Sequence, residues 1–240
     1  MNLWDKKAKS YARYAKLNDI QKQTFKKLNE LNIDFTNKNI VDIGCGTGVW
    51  TLHLAQKAKS VLGIDNSKAM LEILKEDAIK NNINNIKILH LDFENFYKEN
   101  QENFDIAFLS MSLALQNEND FKAFLNLASQ RIYLGWADYR KSDFLDPIFK
   151  HFNTEFKGFN KQDLESFLLE KNITFYKFIF DETRIVERKK DEAIENALWH
   201  LSMNGIKAES NELKNLVTKD KIKEIIKSKI KLLIFLIEIH

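Results

Sequence analysis

From residue 1 to about 31 the apolar residues Trp4, Ala8, Tyr11 and Ala15, and later Phe25, Leu28 and Leu31, recur at near-helical spacing. The pattern then becomes an alternation of short apolar runs and amphipathic segments. Asn39–Ile43 reads as a buried strand, Gly44–Gly48 as a glycine-rich turn, and Val49–Lys59 as a helix with Leu52, Leu54, Ala55 and Ala58 on its apolar side. Ser60–Ile64 is a second strand ending at Asp65. Ser67 then caps a helix over Lys68–Asn81 that carries Met70, Leu71, Leu74 and Ala78. Ile86–Leu91, Phe104–Leu109 and Arg131–Trp136 read as three further strands, with a helix over Asp120–Ser129 before the last of them. Strands separated by helical segments predict a parallel sheet with helices on both faces. Such sheets bind ligands outside the carboxyl ends of their strands, where strand order reverses.

After about residue 140 the rhythm changes. Ile173–Phe180 and Thr183–Glu187 read as two strands separated by Asp181 and Glu182. Asp191–Met203 and Asn211–Lys227 read as helices, and Ile230–Ile239 as a last strand. The lysine-rich run Lys219–Lys231 reads as the solvated face of a helix. No proline- or glycine-rich linker divides the chain, so residues 1–240 read as one domain: a helical lid over 1–31, a core over 36–136, and an insertion over 150–228 that shapes a substrate pocket.

Composition narrows the picture without adding chemistry. With 240 residues, 44% hydrophobic and 30% charged, the chain is an ordinary globular sequence with room for a real core. Its single cysteine, Cys45, excludes an intramolecular disulfide framework and a cysteine-only zinc site. The histidines His53, His90, His151 and His240 show no metal-ligand spacing, and no metal site is expected. The most apolar run, Leu232–Ile237, is much shorter than the roughly 20 residues that cross a bilayer. A cytoplasmic protein with no membrane partner is expected. The net charge of +3, from 37 basic and 34 acidic residues, is too small for a nucleic-acid footprint taken over the whole chain.

The densest chemistry lies in Val41-Asp42-Ile43-Gly44-Cys45-Gly46-Thr47-Gly48, where a strand gives way to a helix. Glycines at such a turn permit positive φ angles and close approach of a ligand to the backbone. Dinucleotide folds use G-x-G-x-x-G, with a pyrophosphate on the helix N-terminus. Here the spacing is G-x-G-x-G, and Asp42 stands two residues before the first glycine. A carboxylate there repels a pyrophosphate and suits a cationic ligand, which speaks against a nicotinamide cofactor.

Asp42-x-Gly44-x-Gly46-x-Gly48 resembles motif I of the class I S-adenosylmethionine-dependent methyltransferases. Asp65, Asp92-Phe93 and Phe104–Ser110 fall in that family's order at the ends of the second, third and fourth strands, so the resemblance covers about residues 36–136. It implies a Rossmann-like α/β fold: a seven-stranded, mostly parallel sheet with helices on both faces and an antiparallel last strand. The implied cofactor is S-adenosylmethionine, converted to S-adenosylhomocysteine. The implied contacts are Asp42, Gly44, Cys45, Gly46 and Gly48 in the loop and Asp65 on the ribose hydroxyls. Asn66 and Met70 would lie along the adenine or ribose edge, Asp92 and Phe93 at the adenine, and Ser110 at the substrate-facing end. Segments resembling Trp4–Tyr14 fold over the cofactor's methionine end in many members acting on small molecules, which would bring Tyr11 and Tyr14 to it.

The acceptor is less visible. The Asn/Asp-Pro-Pro-aromatic motif of amino-methylating enzymes is absent, since Ser110-Met111-Ser112-Leu113-Ala114 follows the fourth strand. No catalytic residue is assigned. Ser112, together with Trp136, Tyr139 and Arg140 beyond the fifth strand, is a candidate for acceptor contacts. Trp199 and Met203 are candidates to cap the pocket, while His200 reads as a buried structural histidine. The weak net charge favours a small-molecule acceptor; the alternatives are methylation of RNA or protein, or a module that binds S-adenosylmethionine without turnover.

Overall fold

The computed structural model describes residues 2–156 and 163–236. The elements in chain order are α1 (Leu3–Ala8), α2 (Asp19–Glu30), β1 (Asn39–Ile43), α3 (Thr51–Ala55), β2 (Ser60–Asp65), α4 (Lys68–Lys80), β3 (Ile86–His90), α5 (Phe93–Glu99) and β4 (Phe104–Ser110). There follow α6 (Glu118–Asn126), β5 (Ala128–Trp136), β6 (Lys141–Ser142), α7 (Leu145–His151), α8 (Leu164–Glu170), β7 (Tyr176–Lys189), α9 (Lys190–Met203), α10 (Ser210–Leu216) and β8 (Lys221–Leu236). The strands hydrogen-bond in the order β3-β2-β1-β4-β5-β8-β6, with β7 also paired to β8. β1 to β5 are mutually parallel, and β6 runs antiparallel to β8. This is the expected Rossmann-like arrangement, with eight strands among the described residues rather than the seven implied, the two-residue β6 being one that the sequence reading lacked.

The chain forms two compact units. The first comprises residues 1–135, 160–178 and 231–240, and the second 136–159 and 179–230. In the first unit, strand order reverses between β1 and β4. One sheet face packs Val41, Ile43, Ala107, Leu109 and Tyr133 against Phe96, Phe121, Phe124, Phe167 and Leu168. Phe121 meets Phe167 at 5.3 Å, and Phe124 meets Phe235 edge-on at 5.9 Å. On the other face Trp50 links Phe25 to Phe108. Asn18, Ser67, Asp92 and Asn117 cap α2, α4, α5 and α6, each accepting from a backbone N–H of the first turn.

The continuous helical reading of residues 1–31 is corrected to two helices. Asn18 and Gln21 form a capping box that starts α2 afresh. The stretch between the helices is held by tertiary bonds, Thr47 Oγ1 to the Ala12 carbonyl at 2.5 Å and Arg13 to Asp77 at 2.6 Å. The helix expected over Val49–Lys59 is only the five residues of α3. α5, α7 and α8 had no counterpart in the sequence reading.

The second unit brings larger corrections. The two strands expected on either side of Asp181-Glu182 are one strand, β7. The helix expected over Asn211–Lys227 ends at Leu216, and residues from Lys221 onward belong to β8, so the lysine run is no helix face. Along β8, Glu224, Ile226, Ser228 and Ile230 are buried, while Lys221, Lys223, Ile225, Lys227 and Lys229 are exposed. That is a period of two; the adjacent Ile225 and Ile226 had masked it. The far end of the expected last strand, 237–239, lies outside the described residues.

The buried face of β8 carries ions as well as isoleucines. Glu224 is fully buried, accepts from Ser142 Oγ at 2.6 Å and pairs with Arg188. Helices α7, α9 and α10 cover this side through Leu145, Phe149, Ile194, Leu201 and Leu213. Removing one partner of a buried pair strands the other charge. Glu224→Ala should therefore cost about 3–5 kcal/mol in urea unfolding. Replacing Glu94, which pairs with Lys98 where both side chains are exposed, should cost no more than about 1 kcal/mol. Equal losses would contradict the burial assignment.

Candidate cofactor site

The loop after β1 is pinned from beneath. Gly44 and Cys45 both donate their N–H to the Ile64 carbonyl, at 2.8 and 3.0 Å, tying the loop to the end of β2. Gly44, Gly46 and Gly48 all have positive φ, at +67°, +54° and +81°. A Cβ on Gly44 would stand 1.9 Å from Ser112 Oγ, and one on Gly48 would stand 2.1 Å from Leu74 Cδ1. A Cβ on Gly46 would meet nothing within 4 Å. Two glycines thus make room for the protein's own packing. The middle one needs glycine only for its backbone and leaves open space above it.

Asp65 lies beside that opening. Its Oδ2 accepts from the Gly46 N–H at 2.9 Å, and its Oδ1 from the Ser67 N–H at 2.8 Å. A carboxylate offers about four lone-pair positions, so two remain. Burial raises the Asp65 pKa, opposed by the two N–H donors and by His90. One strand over, Asp92 caps α5 with Oδ1 on the Asn95 N–H at 2.8 Å and Oδ2 on the Asn95 side-chain amide at 2.7 Å. The Asp65 and Asp92 carboxylates therefore stand at the ends of neighbouring strands, each holding local structure and each retaining acceptor capacity.

Asp42 differs. It is buried, accepts from Thr51 Oγ1 at 2.6 Å, and burial pushes its pKa up to about 7, with Asp65 adding to the rise. Thr51, its buried partner nine residues on, went unnoticed in the sequence, where only the motif acid stood out. Cys45 is buried against Leu52, Leu71, Leu74 and Ala78, and burial raises its thiol pKa well above the usual value. A thiol in that state is a poor nucleophile.

The remaining candidates divide. Met70 and Phe93 are buried, with 2% and 4% of their surface exposed, and Phe93 belongs to the phenylalanine-rich core. Tyr14 packs its ring on His53, and its hydroxyl accepts from Gln56 at 2.5 Å. Asn66 faces the N-terminal segment: Asn2 Nδ2 donates to its carbonyl at 3.0 Å and to its Oδ1 at 2.9 Å. Asp5 Oδ1 accepts from Ser67 Oγ at 2.7 Å and from the Ala69 N–H at 3.2 Å, so α1 closes over the start of α4. Asn2 and Asp5 were not singled out in the sequence, although an asparagine cap followed by an acid three residues on is a readable signal.

At the end of β4 the Ser110 hydroxyl is buried with no hydrogen-bond partner among the described residues, and Met111 adopts φ +51°. A left-handed non-glycine residue costs about 1–3 kcal/mol and tends to mark a functional site. Trp136, Tyr139, Arg140, Trp199, His200 and Met203 lie in the second unit. There His200 is buried, with Nε2 3.3 Å from Arg140 Nη2 and its ring edge-on to Phe156. Among the described residues no three His, Cys, Asp or Glu side chains cluster as metal ligands, and no helix is long and apolar enough to cross a membrane.

Residues 40–132 match a family model described as a methyltransferase domain. A 23S rRNA (uracil(1939)-C(5))-methyltransferase of Francisella tularensis subsp. novicida is 39% identical over 83 residues, 35% of this chain. The match spans only 17% of that relative's length. Two solved structures share the fold at low identity. A precorrin 8w decarboxylase of Methanobacterium thermoautotrophicum aligns over 96% of this chain and 98% of its own, at TM-score 0.54 and 13% identity. A methyltransferase of Thiobacillus denitrificans in complex with S-adenosylhomocysteine aligns over 98% and 97%, at TM-score 0.51 and 12% identity. Residues 40–132 thus resemble a methyltransferase domain, on a fold shared with an S-adenosylmethionine-dependent methyltransferase.

Two predictions follow from the loop. Gly46→Ala meets only the left-handed penalty of about 1–2 kcal/mol, whereas Gly48→Ala adds the clash with Leu74 and should unfold at clearly lower urea. Equal midpoints would contradict the packing. Asp42 has a folded pKa above its usual 3.8, so its contribution is fully present below pH 3.8 and is lost as pH rises through about 7. Thermal unfolding of Asp42→Asn should lack that loss between the two values, and an unchanged pH profile would contradict the assignment.

Proposed function

We propose that this protein transfers the methyl group of S-adenosylmethionine to an acceptor presented at the carboxyl ends of β1 and β4. One observation carries the reading: open space above Gly46, whose N–H is held by an Asp65 carboxylate with lone pairs to spare. A ribose diol is recognised by such a carboxylate, and the missing Cβ allows the close approach a cofactor needs. Asp92 supplies a second acceptor, for an exocyclic amine. Ser110 offers a buried hydroxyl whose hydrogen-bonding capacity the protein itself does not use.

S-adenosylmethionine brings an activated methyl group on a sulfonium, so the residues chiefly orient the partners and exclude water. Gly44 and Cys45, bonded to Ile64, hold the loop rigid. Asp5 and Asn2 draw α1 down over Ser67 and Asn66, beside Asp65. A general base is required only for an acceptor that arrives protonated. Cys45, with its thiol pKa raised by burial, is not placed to act as a nucleophile.

The near-balanced total charge, which favours a small-molecule acceptor when read from the sequence, averages over faces of unequal charge and does not decide the acceptor. A second reading, RNA, has a specific observation behind it: the lysines exposed along β8 share one sheet face. It also accords with the ribosomal RNA named as substrate of the relative matched over 83 residues.

Asp65→Ala should reduce S-adenosylhomocysteine affinity at least a hundredfold by isothermal titration calorimetry while the protein stays folded. Asp92→Ala should weaken binding less, because Asp92 also serves as a helix cap that Asn95 partly supports. Undiminished affinity in Asp65→Ala would overturn the site assignment.

A further inference from the structure

The second unit presents one sheet face to its helices and, among the described residues, leaves the other exposed. Ser142, Glu224 and Arg188 meet on the buried face, as do Ser228 and Glu182 at 2.9 Å. Alternation therefore puts Lys141, Lys221, Lys223, Lys227, Lys229 and the odd-numbered residues of β7 from Ile179 to Lys189 on the opposite face. Lys141 stands directly across from Lys227 in the antiparallel register. Lys190 N–H donates to the Asp220 carbonyl, which brings Lys189 beside Lys221. All six lysines are exposed, and none forms an ion pair among the described residues.

Only Asp181 and Glu187 oppose them on that face of β7, and three exposed isoleucines, Ile179, Ile185 and Ile225, lie among the charges. The imbalance is local. Taking these six lysines and two acids from the 37 basic and 34 acidic residues leaves 31 against 32, so this face alone accounts for the positive total. Lysines at alternate strand positions are about 6.8 Å apart along the strand. A row of regularly spaced cations on an open, flat face suits a regularly spaced polyanion, and exposed apolar side chains among them can cover a sugar or base surface.

We propose that the open face of β6, β8 and β7 binds the phosphate backbone of RNA, making RNA the acceptor class; the acceptor assignment rests on the methyltransferase reading, whereas the binding itself does not. The contacts are to phosphates, so affinity is sequence-tolerant and falls steeply with salt.

The experiment is fluorescence anisotropy of the full chain with a short mixed-sequence single-stranded RNA across a salt series, without cofactor. Wild type should bind. The variant K221Q/K223Q/K227Q/K229Q should bind at least tenfold more weakly, with a log–log salt slope shallower by about 0.7 for each phosphate contact removed. Its S-adenosylhomocysteine affinity should match wild type. If the quadruple variant does not fold, K223Q/K227Q carries the same test with a smaller expected loss. Equal RNA affinity in a folded variant overturns the proposal. So does a wild type that binds phosphatidylserine vesicles and not RNA. Loss of S-adenosylhomocysteine binding in wild type, with RNA binding intact, would overturn the methyltransferase reading and leave the RNA face standing.

Discussion

The bond from the Gly46 N–H to the Asp65 carboxylate is the constraint around which the candidate site is built. It joins the loop after β1 to the end of β2, and it exists only because Gly46 reaches φ +54° with the Ile64 carbonyl holding the two residues before it. The same carboxylate accepts from the N–H of Ser67, which caps α4, and Ser67 Oγ in turn donates to Asp5 of α1. One acid thus sets the loop, the next helix and, through that helix, the N-terminal segment. Its burial is tolerable because two N–H donors compensate the desolvated charge.

The parallel core was legible because its signals are local. β1 and β2 begin where the apolar runs begin, Ser67 caps α4 as its position suggested, and the glycine spacing marked the loop. The carboxylates at the strand ends were visible as types, yet their partners were not, since Thr51 meets Asp42 and the Gly46 N–H meets Asp65 only through the fold. Met70 shows the limit of a motif-level reading. Its place on α4 fits a ligand edge and a helix core equally, and the structure buries it.

The second unit was harder to read for a different reason. Between Lys219 and Lys231 lysine and isoleucine recur at intervals that fit both a helix and a strand, and tertiary pairing decides the matter. Once β8 is a strand, the same residues that looked like a solvated helix become a one-sided row. Net charge had averaged them away. A total of +3 conceals a face with six lysines and two acids, so the charge argument about partners applies to faces, not to chains.

The central claim is that the loop of Gly44, Gly46 and Gly48 holds S-adenosylmethionine and not a dinucleotide. Thermal unfolding with S-adenosylmethionine, S-adenosylhomocysteine and NADH side by side tests it most directly. A ligand at 100 times its dissociation constant adds about 2.7 kcal/mol to the stability of the folded state. The account predicts a rise in unfolding temperature with both sulfur compounds and none with NADH. A rise with NADH alone would contradict it.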